Sequence, residues 1–120
     1  MTFAEIQNLL GLISDPVEKL EMVMELGNSL VPVPDNAICT EIMGCSSFVE
    51  ICRVENRFYG RADSGIVRGI VAIIISMVDG KTPEQIKKMD LLACFQSLDL
   101  NLGAGRLNGL NSMIRFLQNL

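Results

Sequence analysis

The stretch from Ile66 to Val78 carries a single charge, Arg68, and is otherwise almost wholly apolar. A run with polar residues on one side makes a surface helix, whereas one that is apolar on nearly every side belongs in the middle of a fold. It is too short to span a bilayer, which takes about 20 apolar residues. The expectation is therefore a buried central helix with the rest of the chain wrapped around it. Asp63-Ser64 should cap its start, and Asp79-Gly80 should stop it.

The blocks on either side must supply the cover. Before it, Phe3, Ile6, Leu9, Leu10 and Ile13 recur at helical spacing. Asp15-Pro16 then reads as a cap followed by a first helical position. A second helix follows, with Val17, Leu20, Met24 and Val23 as its apolar side and Gly27 as its end signal. Val31 to Asn36 holds two prolines, which keep it extended. Next come three strand-like segments: Ala37–Met43, Ser47–Glu55 and Arg57–Ala62, the last two joined at Glu55-Asn56. Short connections make them an antiparallel meander. After the central helix, Thr82-Pro83-Glu84 opens another helix, and a short segment spans Leu91 to Leu98. The last helix covers Arg106 to Leu120, with Leu107, Leu110, Met113 or Ile114, and Leu117 inward. Helices, strands, then helices give an α+β class, read as one domain over residues 1–120.

With 120 residues, 49% hydrophobic and 20% charged, the chain can bury a core without staples. A net charge of −4 argues against nucleic acid as a partner, because phosphate binding needs a basic surface. The start, Met1-Thr2-Phe3-Ala4-Glu5, lacks the basic-then-apolar pattern of an export signal. The expected setting is thus the cytoplasm, or an organelle stroma, with no membrane contact. The four cysteines (Cys39, Cys45, Cys52 and Cys94) are accordingly expected to be reduced thiols.

There is no histidine, so no Ser-His-Asp or Cys-His pair is available within the chain. Glycine-rich phosphate loops of the Walker or dinucleotide type are missing, which predicts no cofactor. The cysteine spacings are wide and irregular, unlike the Cys-x-x-Cys of zinc sites, so no metal site is expected. Cys39 and Cys52 fall in strands and Cys94 in an apolar helix, where cysteine usually acts as a small buried hydrophobe. Cys45 differs. It follows Gly44 and precedes Ser46-Ser47, between two strands, where a rigid sheet presents a reactive group on a loop. An accessible thiolate there could exchange sulfur with a partner. Composition alone weighs this evenly against a buried structural cysteine.

The stretch around Cys45 resembles the SufE family of sulfur acceptors. Met43-Gly44-Cys45-Ser46-Ser47 matches the family's Gly-Cys-x-Ser core within Asn36 to Cys45. Glu25-Leu26-Gly27 matches the end of its second helix, and Ala62-Asp63-Ser64-Gly65-Ile66-Val67-Arg68-Gly69 the opening of its long core helix. Arg106-Leu107-Asn108-Gly109-Leu110 with Met113 matches its last helix, and Gly80 to Ile86 adds a weaker match. Glu50 stands where members often carry an aromatic, and Leu20 and Met22 replace aromatics common in the second helix. These departures bear on partner choice.

The resemblance implies a SufE/NifU-like fold and a carrier that is not itself an enzyme. Cys45 would take persulfide sulfur from a pyridoxal-phosphate cysteine desulfurase and stimulate it. An iron–sulfur scaffold complex would receive the sulfur, and a homodimer is compatible with the family. Two other functions are weighed against it. An iron–sulfur scaffold would need several ligands converging on a cluster. A thiol redox sensor would oxidise Cys45 or pair it with Cys39 or Cys52.

Overall fold

The computed structural model describes residues 1–120. Two helices come first, α1 (Phe3–Gly11) and α2 (Pro16–Leu26), with a 3-10 turn over Gly27–Ser29. The strands β1 (Ile38–Glu41), β2 (Val49–Val54) and β3 (Arg57–Ala62) follow. Four helices complete the chain: α3 (Gly65–Val78), α4 (Pro83–Lys87), α5 (Leu91–Gln96) and α6 (Ala104–Gln118). This is the α+β architecture expected: six helices and one three-stranded antiparallel sheet in the order β1-β2-β3.

Local chemistry explains most of the boundaries. Thr2 and Glu5 form a capping box on α1, and Thr82 and Gln85 form another on α4. Asp15 accepts a hydrogen bond from the Val17 N–H at 2.9 Å, with Pro16 at the first position of α2. The β2–β3 turn places Glu55 at φ 53°, in the left-handed region that tight hairpins favour. One expected cap is different. Ser64 occupies the cap position of α3, but no side-chain hydrogen bond forms there. Asp63 stands one position before the cap, and its N–H bonds to the Phe48 carbonyl at 3.3 Å.

Helix α3 is the centre of the fold. Ile70, Val71, Ile73, Ile74 and Val78 are each at most 1% exposed. One face of the sheet packs on it through Val49, Ile51 and Phe58, and at Gly60 a β-carbon would strike Val71 and Ile75. Ile6 and Leu10 of α1, Val23 and Leu26 of α2, and Leu110, Met113, Ile114 and Leu117 of α6 complete one contiguous core. Three inward assignments are corrected: Val17, Met24 and Leu107 are 63%, 48% and 43% exposed. Val17 and Leu107 lie in the first turn of their helices, short of the core. On α2 the buried stripe passes through Val23 and Leu26 and so leaves Met24 outside.

The first two strands are shorter than expected, which leaves a longer connection between them. β1 ends at Glu41 and β2 begins at Val49. The Ile42 N–H still bonds to the Val49 carbonyl at 2.8 Å, and the Ile42 side chain is buried, so the base of this connection is anchored.

Candidate functional site

Cys45 lies in that connection, and α6 forms the floor beneath it. The turn onto Cys45 requires Gly44. Its φ of 92° is one that residues with a side chain rarely adopt, and a β-carbon there would come 2.5 Å from Ser112 Oγ. Gly109 on α6 completes the fit from the other side. A β-carbon at Gly109 would sit 3.1 Å from Cys45 Sγ, so the missing side chain is what lets the thiol rest on the helix. The thiol donates a weak, long hydrogen bond to the Gly109 carbonyl at 3.8 Å. Val67 and Ile70 of α3 and Met113 of α6 line the slot with Ser46, Ser47 and Arg106. Its free space is about 10 Å³, roughly the room one water molecule needs.

This setting controls the acidity of the thiol. Cys45 is half-buried against the core, and desolvation raises its pKa above the ordinary thiol range. No charged neighbour offsets this, and the Arg106 side chain instead donates to the Leu102 carbonyl at 3.5 Å. At rest Cys45 is therefore a protonated, sheltered thiol. A thiol held this way gains nucleophilic character on exposure to water or beside a positive charge.

The other cysteines are distributed differently from the expectation. Cys39 and Cys52 are not reduced thiols: they are directly paired in the β1–β2 register and joined by a disulfide. Cys52 is buried as expected, whereas Cys39 is exposed, because it sits on the edge strand. Spacing in the sequence hides such a pair; only the strand register reveals it. Cys94 is a free, half-buried thiol on α5, packed against the core. With Cys39 and Cys52 joined to each other, neither is free to pair with Cys45. The cluster of potential metal ligands that the fold gathers, Cys39, Glu50 and Cys52, excludes Cys45, so no scaffold-like ligand set converges on it. Sequence reasoning singled out Cys45 but did not anticipate the contacts that Ser112 and Gly109 make with its loop. The signal for Gly109 was present in the Arg106–Leu110 motif, where it was read only as a helix pattern.

Fold and site together define a class: a small α+β domain presenting one sheltered thiol from a loop braced by a sheet and a helix. The sequence model of the SufE family, described as an Fe-S metabolism associated domain, matches residues 4–120. The chain belongs to the SufE family. It is 31% identical over 122 residues to the sulfur acceptor protein CsdE of Escherichia coli, covering 94% of this chain and 83% of that one. It is 34% identical over 110 residues to an uncharacterised SufE-like protein of Rhizobium meliloti, covering 82% and 79% of the two chains. A solution structure of a hypothetical protein from Thermus thermophilus shares the fold, with a TM-score of 0.77 at 16% identity, over 99% of this chain and 94% of that chain. No helix is long and apolar enough to cross a membrane.

Proposed function

We propose that this protein is a sulfur acceptor and carrier. Cys45 takes a sulfur atom from the persulfide of a cysteine desulfurase and passes it to an iron–sulfur cluster scaffold. The observation that carries this reading is the free Cys45 thiol held in the slot between its loop and Gly109, in a chain of the SufE family.

The chemistry follows from that geometry. The Cys45 thiol loses its proton as the loop leaves the slot, and the thiolate attacks the outer sulfur of the desulfurase persulfide. A new sulfur–sulfur bond forms on Cys45, and the old one breaks. The desulfurase cysteine departs as a thiolate, so no net oxidation occurs. The slot then has a second use. A persulfide in bulk solvent is lost to other thiols, and Val67, Ile70 and Met113 offer an apolar wall that keeps them away. The exposed side chains of Met43 and Leu107, one on the loop and one on α6, give a partner apolar surface to grip. The protein acts as an accessory to the desulfurase, whose pyridoxal phosphate does the bond-breaking chemistry.

The reading is tested by turnover. A desulfurase supplied with cysteine and a mild reductant should release sulfide faster when the wild-type protein is added. The Cys45→Ser protein should give no acceleration. Equal acceleration by both proteins would exclude Cys45 as the acceptor.

A further inference from the structure

We propose that Cys39, Cys52 and Glu50 form a second thiol site, which in its reduced form binds a thiophilic divalent cation of the zinc class. It does not use Cys45 and is independent of the carrier reading. The sheet builds it. Ile51 and Gly60 face α3, so the alternation of strand side chains turns Glu50 and Cys52 to the opposite, outer face. Cys39 is the register partner of Cys52 on that face, and Glu41 is the partner of Glu50. Two cysteines and two carboxylates thus form a two-by-two array on neighbouring strands. The donor atoms of Cys39, Glu50 and Cys52 lie within 4.8 Å of one another.

Two thiolates and a carboxylate are the donors that zinc prefers, and Glu41 or water can fill a fourth position. Arg61 donates to Glu50 Oε1 at 2.7 Å, and the same oxygen lies 3.6 Å from Cys52 Sγ. Such a partner orients a ligating carboxylate and balances the negative charge of the set. The disulfide and the metal are mutually exclusive states of one pair of sulfurs. Reduction by two equivalents of a small-molecule thiol adds two electrons and two protons to the pair and leaves those thiols as their disulfide; metal binding then releases the two protons. Oxidation by a small-molecule disulfide reverses this: the two thiolates form their bond, the oxidant departs as two thiolates that take up protons from water, and the cation leaves.

The test uses cobalt as a spectroscopic stand-in for zinc. The whole chain is reduced with a phosphine, freed of reductant under nitrogen, and titrated with Co2+. Thiolate-to-cobalt absorption should saturate at one ion per chain and vanish on adding Zn2+. The unreduced protein should show none. C39S, at an exposed position, should abolish the band, E50Q should weaken binding by about 10-fold or more, and C45S and C94S should match wild type. Zinc should also protect Cys39 and Cys52 of the reduced wild type, but not Cys45, from alkylation, which reads the ligands without any variant. A reduced wild type with no saturable band, a band that persists in C39S or disappears in C45S, full affinity in E50Q, or no protection of Cys39 and Cys52 would each overturn the site.

Discussion

In the proposed carrier, Cys45 reacts only once it leaves its slot. Its thiol rests on the Gly109 carbonyl in a desolvated slot, and burial favours the proton. A raised folded-state pKa has a definite sign in linkage. The stabilisation that comes with the neutral thiol is fully present below the unfolded-state pKa and is lost as pH rises through the higher folded-state value. Alkylation of Cys45 in the free protein should therefore be slower than that of the same residue in urea at neutral pH. Its rate should keep climbing to a higher pH than in the unfolded chain. Equal rates in both states would mean that the slot gives no shelter. Gly109→Ala tests the same contact from the helix side. A methyl placed 3.1 Å from Cys45 Sγ should push the loop outward. Cys45 alkylation should become faster, with a stability loss of about 1–3 kcal/mol from overpacking. An unchanged rate in a folded Gly109→Ala protein would show that the thiol does not depend on this fit.

Among the elements, α3 bears the weight of the fold, and its character was readable because an all-round apolar run has only one place to go. Ile70 is 1% exposed, and it faces both the core and the Cys45 slot. Ile70→Asp buries an unpaired charge and should cost at least about 3 kcal/mol, seen as a melting temperature lowered by roughly 10 °C or more. A melting curve like that of wild type would contradict the assignment of α3 as the core. The start of the same helix should behave in the opposite way. Because the Ser64 side chain caps nothing, Ser64→Ala should change stability by less than about 0.5 kcal/mol, below the ~1 kcal/mol typical of a true cap. A loss as large as a true cap's would reveal a bond that forms in solution. Sequence placed the helix but could not foresee that the Asp63 N–H would bond to the Phe48 carbonyl. The Cys39–Cys52 pair was illegible for a related reason. Residues 13 apart in the chain become neighbours only once β1 and β2 adopt one register, and nothing local in either strand specifies that register.

Across the whole molecule, a packed frame carries one loop that holds the thiol. α3, the inner sheet face and α6 form the frame, and the Ile42–Phe48 connection carries the thiol over it. The Gly-Cys-x-Ser pattern made Cys45 legible because glycine before a loop cysteine has a backbone reason. The floor of the slot was not legible, since Gly109 and Ser112 lie more than sixty positions further along the chain. The central claim is that the sulfur rides on Cys45 alone, and intact mass tests it most directly. Wild type and the four single variants Cys39→Ser, Cys45→Ser, Cys52→Ser and Cys94→Ser are incubated with a cysteine desulfurase and cysteine, and then weighed with and without reductant. The account predicts a gain of one sulfur atom, reversed by reductant, in every folded protein except Cys45→Ser. A gain that persists in Cys45→Ser and vanishes in another folded variant, or no gain in wild type, would contradict it.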